Sequence, residues 1–234
     1  MHVHVFDRGA GRAVVFLHGL PSPPADLEGL AEELPSFRVL VPHVPGYGRS
    51  PAAPGRQSVA QVERALVERL RALGVERPVL VGFSMGAYRV LSLAAQLRAS
   101  SVLALAGFAD MLRANKDIRS LLAPRFLSSG HRAARPSDDA IVEAWLDVAP
   151  ASVLIEELDD LAASPSLTNE IAHLDCPVVA RTGELDMATP ASHARAIAAT
   201  AKHGTAEIVP GVGHALLLED RAGTLDAVRR ACAM

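Results

Sequence analysis

Pro78-Val79-Leu80-Val81-Gly82-Phe83-Ser84-Met85-Gly86 is an apolar run of strand length that delivers a serine into a sharp turn, with a glycine two residues away on either side. Such a turn strains the serine backbone, and a side chain at either flanking position collides with the strand or helix it joins, so glycine is a steric requirement at both places. The following residues, Ala87 to Leu97, carry apolar side chains at helical spacing. Ser84 is therefore expected at a helix N-terminus, where the dipole and free N–H groups favour developing negative charge. The pattern G-x-S-x-G alone carries little information. The strand before it and the helix after it supply the weight.

A hydroxyl is a poor nucleophile at neutral pH, so it needs a base to take its proton and a carboxylate to hold that base in one tautomer. Val209-Pro210-Gly211-Val212-Gly213-His214 places a histidine in a glycine-bracketed loop after the strand-like Ala206-Glu207-Ile208-Val209, which makes His214 the candidate base. Of the other histidines, His173, His193 and His203 lie in or beside polar helical surfaces. Pro177 to Thr182 reads as a buried strand running into Gly183-Glu184-Leu185-Asp186-Met187-Ala188-Thr189-Pro190, so Asp186 is the candidate orienter. Glu184 shares that loop, and Asp110 follows another strand-like segment; both stay open as alternatives. Ala13 to Leu17 is a further strand, ending at His18-Gly19-Leu20-Pro21. The N–H of Leu20 is expected to pair with that of Met85 as an oxyanion hole, since Pro21 has no N–H to give.

These stretches, in this order, resemble the α/β-hydrolase superfamily over nearly the whole chain. His18-Gly19 resembles the family's oxyanion-strand ending, Val44-Pro45-Gly46-Tyr47-Gly48-Arg49-Ser50 its glycine-rich loop, Gly82 to Gly86 its nucleophile elbow, and the Asp186 and His214 loops its acid and base loops. His43 stands where that glycine-rich loop usually opens with an aspartate. Within the superfamily, small lidded esterases and lactonases, among them 3-oxoadipate enol-lactonase, are the nearest in wording. The resemblance implies an α/β fold: a mostly parallel central sheet with helices on both faces and a helical cap inserted after the sixth strand-like segment. Residues 1–108 and 169–234 are then the core domain and 109–168 the cap, which carries helical patterns around 140–146 and 153–158. The wall of a substrate pocket is expected from His18, Phe108, Trp145, Met187 and Leu216. A histidine placed like His18 is more often structural, part of the oxyanion turn, and the other four also read as core.

The 234 residues are 50% hydrophobic with a net charge of −3, enough for a sizeable core and without the basic footprint of a nucleic-acid binder. Strands are expected near 3–6, 12–17, 37–41, 78–82, 101–105, 177–182 and 206–209, with core helices near 24–34, 58–73, 86–98, 191–201 and 223–232. Met1 to Phe6 lacks the basic start and long apolar stretch of a signal peptide, and no apolar segment reaches membrane-spanning length, so a cytoplasmic location and no membrane partner are expected. Two cysteines, Cys176 and Cys232, suggest no disulfide framework. His2 and His4 lack a third ligand for a metal. The cap opens basic (Arg113, Lys116, Arg119, Arg125, Arg132, Arg135) and closes acidic (Asp138, Asp139, Glu143, Asp147, Glu156, Glu157, Asp159, Asp160), and both runs read as solvated helix faces. An anion-binding role for one of these arginines would suit a carboxylate-bearing substrate.

The chemistry expected is acyl transfer from a small-molecule ester or lactone to water, with no metal or organic cofactor. A serine rather than a carboxylate nucleophile argues against dehalogenase or epoxide hydrolase chemistry. The same triad serves C–C bond hydrolysis and cofactor-free lyase or perhydrolase reactions, and the fold also serves as a small-molecule receptor. The sequence leaves these, and the oligomeric state, open.

Overall fold

A computed structural model describes residues 1–110 and 126–234; Arg113, Lys116, Arg119 and Arg125 of the basic run lie outside the described residues. Among the described residues the strands are β1 (Val5–Arg8), β2 (Ala13–Leu17), β3 (Arg38–Pro42), β4 (Val79–Phe83), β5 (Ser101–Leu105), β6 (Val178–Gly183) and β7 (Gly204–Val209). They form one sheet in the order β1-β3-β2-β4-β5-β6-β7. Only β1 runs antiparallel to its neighbour; every other pairing is parallel. This is the α/β-hydrolase fold expected from the sequence.

The helices are α1 (Pro24–Glu28), α2 (Val59–Ala72), α3 (Met85–Leu93), α4 (Ser129–Ala134), α5 (Asp138–Ala144), α6 (Ala151–Ala162), α7 (Thr168–Ala172), α8 (Ala191–Thr200), α9 (Leu216–Glu219) and α10 (Arg221–Ala233). The expected helix over 24–34 is a short α1 continued by a 3-10 turn, Gly29–Glu32. The stretch holding α4 to α7 follows the fifth strand in the chain, one earlier than the sixth strand-like segment expected, because only five runs of strand length precede it. Among the described residues no helix is long and apolar enough to cross a membrane.

The strand period of two sorts the apolar side chains onto two faces. Val15, Leu17 and Leu80 join a core with Leu66 and Leu70 of α2, Leu91 of α3 and Ile197 of α8. Val14, Phe16, Val81 and Phe83 join another with Leu27 of α1 and Leu225 and Val228 of α10. Each fully buried leucine contributes about 2 kcal/mol. Helix α2 is bounded by a capping box, Ser58 with Gln61, which satisfies two of its first N–H groups.

Chain order reverses between β2 and β4, and at such a switch point the carboxyl ends of the two strands leave a crevice. Leu17 pairs with Gly82 there, which sets the ends of both strands at one level. The helix after β4 approaches so closely that a Cβ on Gly86 would lie 2.1 Å from the Leu17 carbonyl oxygen. Gly130, in α4, has open space around its Cβ direction. Gly86→Ala is accordingly expected to lower stability by several kcal/mol, and Gly130→Ala to leave it unchanged or raise it by up to about 1 kcal/mol. Urea unfolding of the two variants reads the difference.

Candidate active site

Ser84 holds φ 54° and ψ −116° at the junction of β4 and α3. For a residue with a Cβ this conformation costs on the order of 1–3 kcal/mol, and the surroundings hold it there. The Ser84 N–H donates to the Leu105 carbonyl at 2.8 Å, and its own carbonyl accepts the Ala87 N–H at 2.9 Å. A Cβ on Gly82 would sit 2.2 Å from the Gly86 carbonyl oxygen, so the chain can double back only with glycine at that position. Ser84 stays 8% exposed.

His214 Nδ1 lies 2.9 Å from Asp186 Oδ2. Asp186 is buried in a ring of donors: the Ala188 and Thr189 N–H groups reach Oδ1 at 2.9 and 2.8 Å, and the Thr182 hydroxyl reaches Oδ2 at 2.9 Å. The Thr189 hydroxyl lies 2.8 Å from Oδ2 and 2.9 Å from the Ala106 carbonyl oxygen, and its one proton serves one acceptor at a time. Burial pushes the Asp186 carboxyl up, but the facing His214 and the Thr189 donors outweigh it and hold the group below the usual carboxylate range. An ionised Asp186 fixes the proton of His214 on Nδ1. Nε2 then carries the lone pair, and it is buried with no hydrogen-bond partner among the described residues.

The two alternative acids stand elsewhere. The Glu184 carboxylate accepts the Gly211 N–H at 3.1 Å, and Asp110 is exposed. The sequence offered no sign of Thr182 or Thr189 as partners of Asp186. Phe126 and Glu219 were missed as well. The Phe126 carbonyl accepts from the His214 and Ala215 N–H groups at 2.8 and 2.9 Å, while its ring stands edge-on 4.5 Å from the imidazole. The Glu219 carboxylate takes the Gly213 N–H at 3.1 Å and the Ser128 hydroxyl at 2.5 Å. It thereby ties the histidine loop to the start of α4.

Opposite Ser84 lies the turn after β2. A Cβ on Gly19 would be 3.0 Å from Ser84 Cβ. The Gly19 carbonyl accepts from His18 Nδ1 at 3.1 Å and from the Ser22 hydroxyl at 3.3 Å, so the other end of that peptide unit, the Leu20 N–H, points away from them. Neither the Leu20 nor the Met85 N–H has a hydrogen-bond partner among the described residues. His18 Nε2 accepts the Val44 N–H at 3.2 Å, which leaves Nδ1 as the protonated nitrogen. Burial pushes the His18 imidazole down to about 3.

His43 performs the anchoring expected of an aspartate at the glycine-rich loop. Its Nδ1 accepts the Arg49 N–H at 2.9 Å, and its Nε2 donates to Glu28 at 2.7 Å. The ring fills the space above Gly48, where a Cβ would lie 2.4 Å from Nδ1. Burial lowers the His43 pKa despite Glu28.

The five residues expected to form a pocket separate. Trp145 is buried between Phe83 and Phe126, with ring centroids 6.2 and 5.9 Å away. It lines a cavity of about 110 Å³ with Ser22, Asp26, Phe83, Ala215 and Leu218. Its indole N–H approaches the Asp26 carboxyl without normal hydrogen-bond geometry. Phe108 stacks on Tyr88 at 5.8 Å, His18 has both ring nitrogens engaged by backbone, and Leu216 is wholly buried in the core. Met187 is 64% exposed, because the turn that wraps Ala188 and Thr189 around Asp186 turns its side chain outward. Among the described residues no group of three or more His, Cys, Asp or Glu side chains converges as a metal site.

A parallel sheet with a reversed strand order and a strained serine at the reversal defines a protein of the α/β-hydrolase class. Residues 14–227 match the Alpha/beta hydrolase family, and the chain belongs to it. The fold closely matches a thermophilic esterase from Thermogutta terrifontis (TM-score 0.88, 24% identity, covering 99% of this chain and 93% of that one). It also matches the enol-lactonase from Burkholderia xenovorans LB400 (TM-score 0.84, 18% identity, covering 99% and 96%). A putative non-heme haloperoxidase of Mycobacterium phage D29 is 32% identical over 90 residues, which span 38% of this chain and 32% of that relative.

Three histidines held neutral by burial imply a pH dependence. For His4, His18 and His43 the folded pKa lies below the ordinary value, so the unfolded chain binds more protons and stability falls as pH drops below about 6.5. His18 alone contributes roughly 3 kcal/mol of this loss between pH 7.5 and 4.5. His18→Asn is expected to be less stable than the parent at pH 7.5 but to lose less on acidification. Urea midpoints at both pH values check this.

Proposed function

We propose that this protein is a serine hydrolase of small carboxylic esters or lactones, acting through an acyl-enzyme on Ser84. The observation that carries the reading is the buried His214 whose Nδ1 is committed to Asp186 while Nε2 is bare, its ring 5.1 Å from that of Phe83, the residue before a serine held at positive φ. In this tautomer Nε2 accepts the Ser84 proton as Oγ attacks the carbonyl carbon. The carbonyl oxygen becomes an oxyanion held by the uncommitted Leu20 and Met85 N–H groups, each worth on the order of 3 kcal/mol in the transition state. Protonated His214 then gives its proton to the leaving alkoxide or enolate, and water repeats the sequence on the acyl-enzyme. The described residues 126–168 are read as part of a cap beside this centre. Phe83 and Phe126 beside the imidazole keep bulk water from it.

Two outcomes test the assignment. Ser84→Ala is expected to abolish labelling by a fluorophosphonate and hydrolysis of p-nitrophenyl acetate while retaining the parent circular dichroism; labelling that survives contradicts it. Asp186→Asn is expected to cut kcat by up to about 10⁴-fold through the wrong imidazole tautomer, with Glu184→Gln and Asp110→Asn nearly silent. Steady-state kinetics on the three variants rank the acids.

The cap reading has its own test. Since Trp145 borders the cavity beside Phe83, Trp145→Ala is expected to change the chain-length preference in kcat/KM more than the rate on an acetate ester. Equal loss on short and long esters assigns Trp145 to packing alone.

A further inference from the structure

Glu157 belongs to the acidic run read from the sequence as a solvated helix face, but α6 turns it inward. Its carboxylate is divided between two elements of the core. Oε1 accepts from Arg89 Nη2 at 2.6 Å, and Oε2 accepts from the Tyr47 hydroxyl at 2.5 Å. The Arg89 side chain is only 2% exposed and the Glu157 side chain 13%, so this ion pair is far drier than the Arg56–Asp160 pair one turn along, whose arginine is 56% exposed. One turn before Glu157, Val153 presses onto the glycine-rich loop. A Cβ on Gly46, at φ +92°, would lie 2.9 Å from Val153 Cγ1.

Both anchors belong to elements that connect to the serine. Arg89 belongs to α3, the helix that begins at Met85 directly after Ser84. The Tyr47 ring lies 4.6 Å from the ring of His18, which in turn binds the Gly19 carbonyl. One carboxylate on α6 therefore grips both the nucleophile helix and the loop behind the oxyanion turn. The core elements are fixed by the sheet without it, whereas α6 is held by side chains alone, Leu154 in the core among them. Glu157 is the carboxylate bonded directly to this buried guanidinium, whose Nε lacks a partner among the described residues; Glu63 on α2, bonded to Ser92 at 2.8 Å, acts on Arg89 only through space. Removing one member of such a pair leaves an uncompensated buried charge.

We propose that Glu157 is a positioning residue: by joining Arg89 and Tyr47 it docks α6 against the core and thereby sets the size of the group that the site accepts. The kinetic part of this inference rests on the reading of Ser84 as nucleophile, whereas the docking of α6 is measured without it.

Two variants test it. Glu157→Gln keeps an acceptor for Tyr47 but strips Arg89 of its counter-charge, and Tyr47→Phe removes one bond and leaves the charge pair. Hydrogen exchange of residues 151–162 is expected to speed up at least tenfold in Glu157→Gln and less in Tyr47→Phe. The ratio of kcat/KM for p-nitrophenyl octanoate to that for the acetate is expected to shift at least fivefold, carried by KM. Exchange within twofold of the parent in both variants overturns the proposal, as does a lowered melting temperature with an unchanged ester ratio, which makes Glu157 structural only. If the parent hydrolyses neither ester, the functional reading fails while the exchange result still decides the docking. If Glu157→Gln does not fold, Tyr47→Phe alone decides.

Discussion

The constraint on which the rest depends is the contact of two backbones at the strand reversal, where Gly86 lies against the Leu17 carbonyl with no room for a Cβ. Because α3 must start there, directly above the paired ends of β2 and β4, the connecting residue has no choice but a positive φ. That residue is Ser84. The same proximity brings Gly19, and with it the turn that carries Leu20, against Ser84 Cβ. Strain at Ser84 is offset by the hydrogen bond to Leu105 and by the burial of α3, whose Val90 and Leu91 are wholly enclosed. Local geometry that would be unfavourable alone is thus imposed by packing of the whole sheet.

Around this point the buried polar groups are committed with few exceptions. Asp186 is surrounded by donors from Thr182, Ala188, Thr189 and His214, and the neutral imidazoles of His18 and His43 each use both nitrogens. A buried polar group without a partner costs of the order of 1–3 kcal/mol, so the bare Nε2 of His214 is a tolerated cost. In the proposed mechanism that bare nitrogen is the proton acceptor. The histidine loop is itself fastened by Phe126 and Glu219, so part of the chain beyond β5 helps to position His214.

Much of this was legible in the sequence. Seven strand segments follow apolar runs bounded by Gly and Pro, and all seven are found within about two residues of the expected places. Ser84 and Gly86 could be read because steric necessity leaves a residue-type signature. Asp186 could be chosen from its loop but not separated from Glu184 and Asp110, since only three-dimensional placement shows which carboxylate faces His214. Thr182, Thr189, Phe126 and Glu219 act through contacts between residues far apart or through backbone atoms, and these leave no pattern at short spacing. Glu157 misled for a related reason: charge on a helix usually means solvent, and its partners Tyr47 and Arg89 lie 110 and 68 residues away. Met187 misled because the turn around Asp186 decides which way its side chain points. The short helices α4, α7 and α9 carry too few turns for a periodic signal.

The central claim is that Asp186 holds His214 with its proton on Nδ1 and leaves Nε2 without a partner next to the ring of Phe83. Nitrogen-15 NMR of the histidine rings at pH 8, with the His214 signals assigned by comparison with His214→Gln, reads the tautomer directly. The account expects a protonated Nδ1 and an unprotonated Nε2 in the parent, and loss of that preference in Asp186→Asn. A parent His214 protonated on Nε2, or a spectrum unchanged by Asp186→Asn, contradicts it.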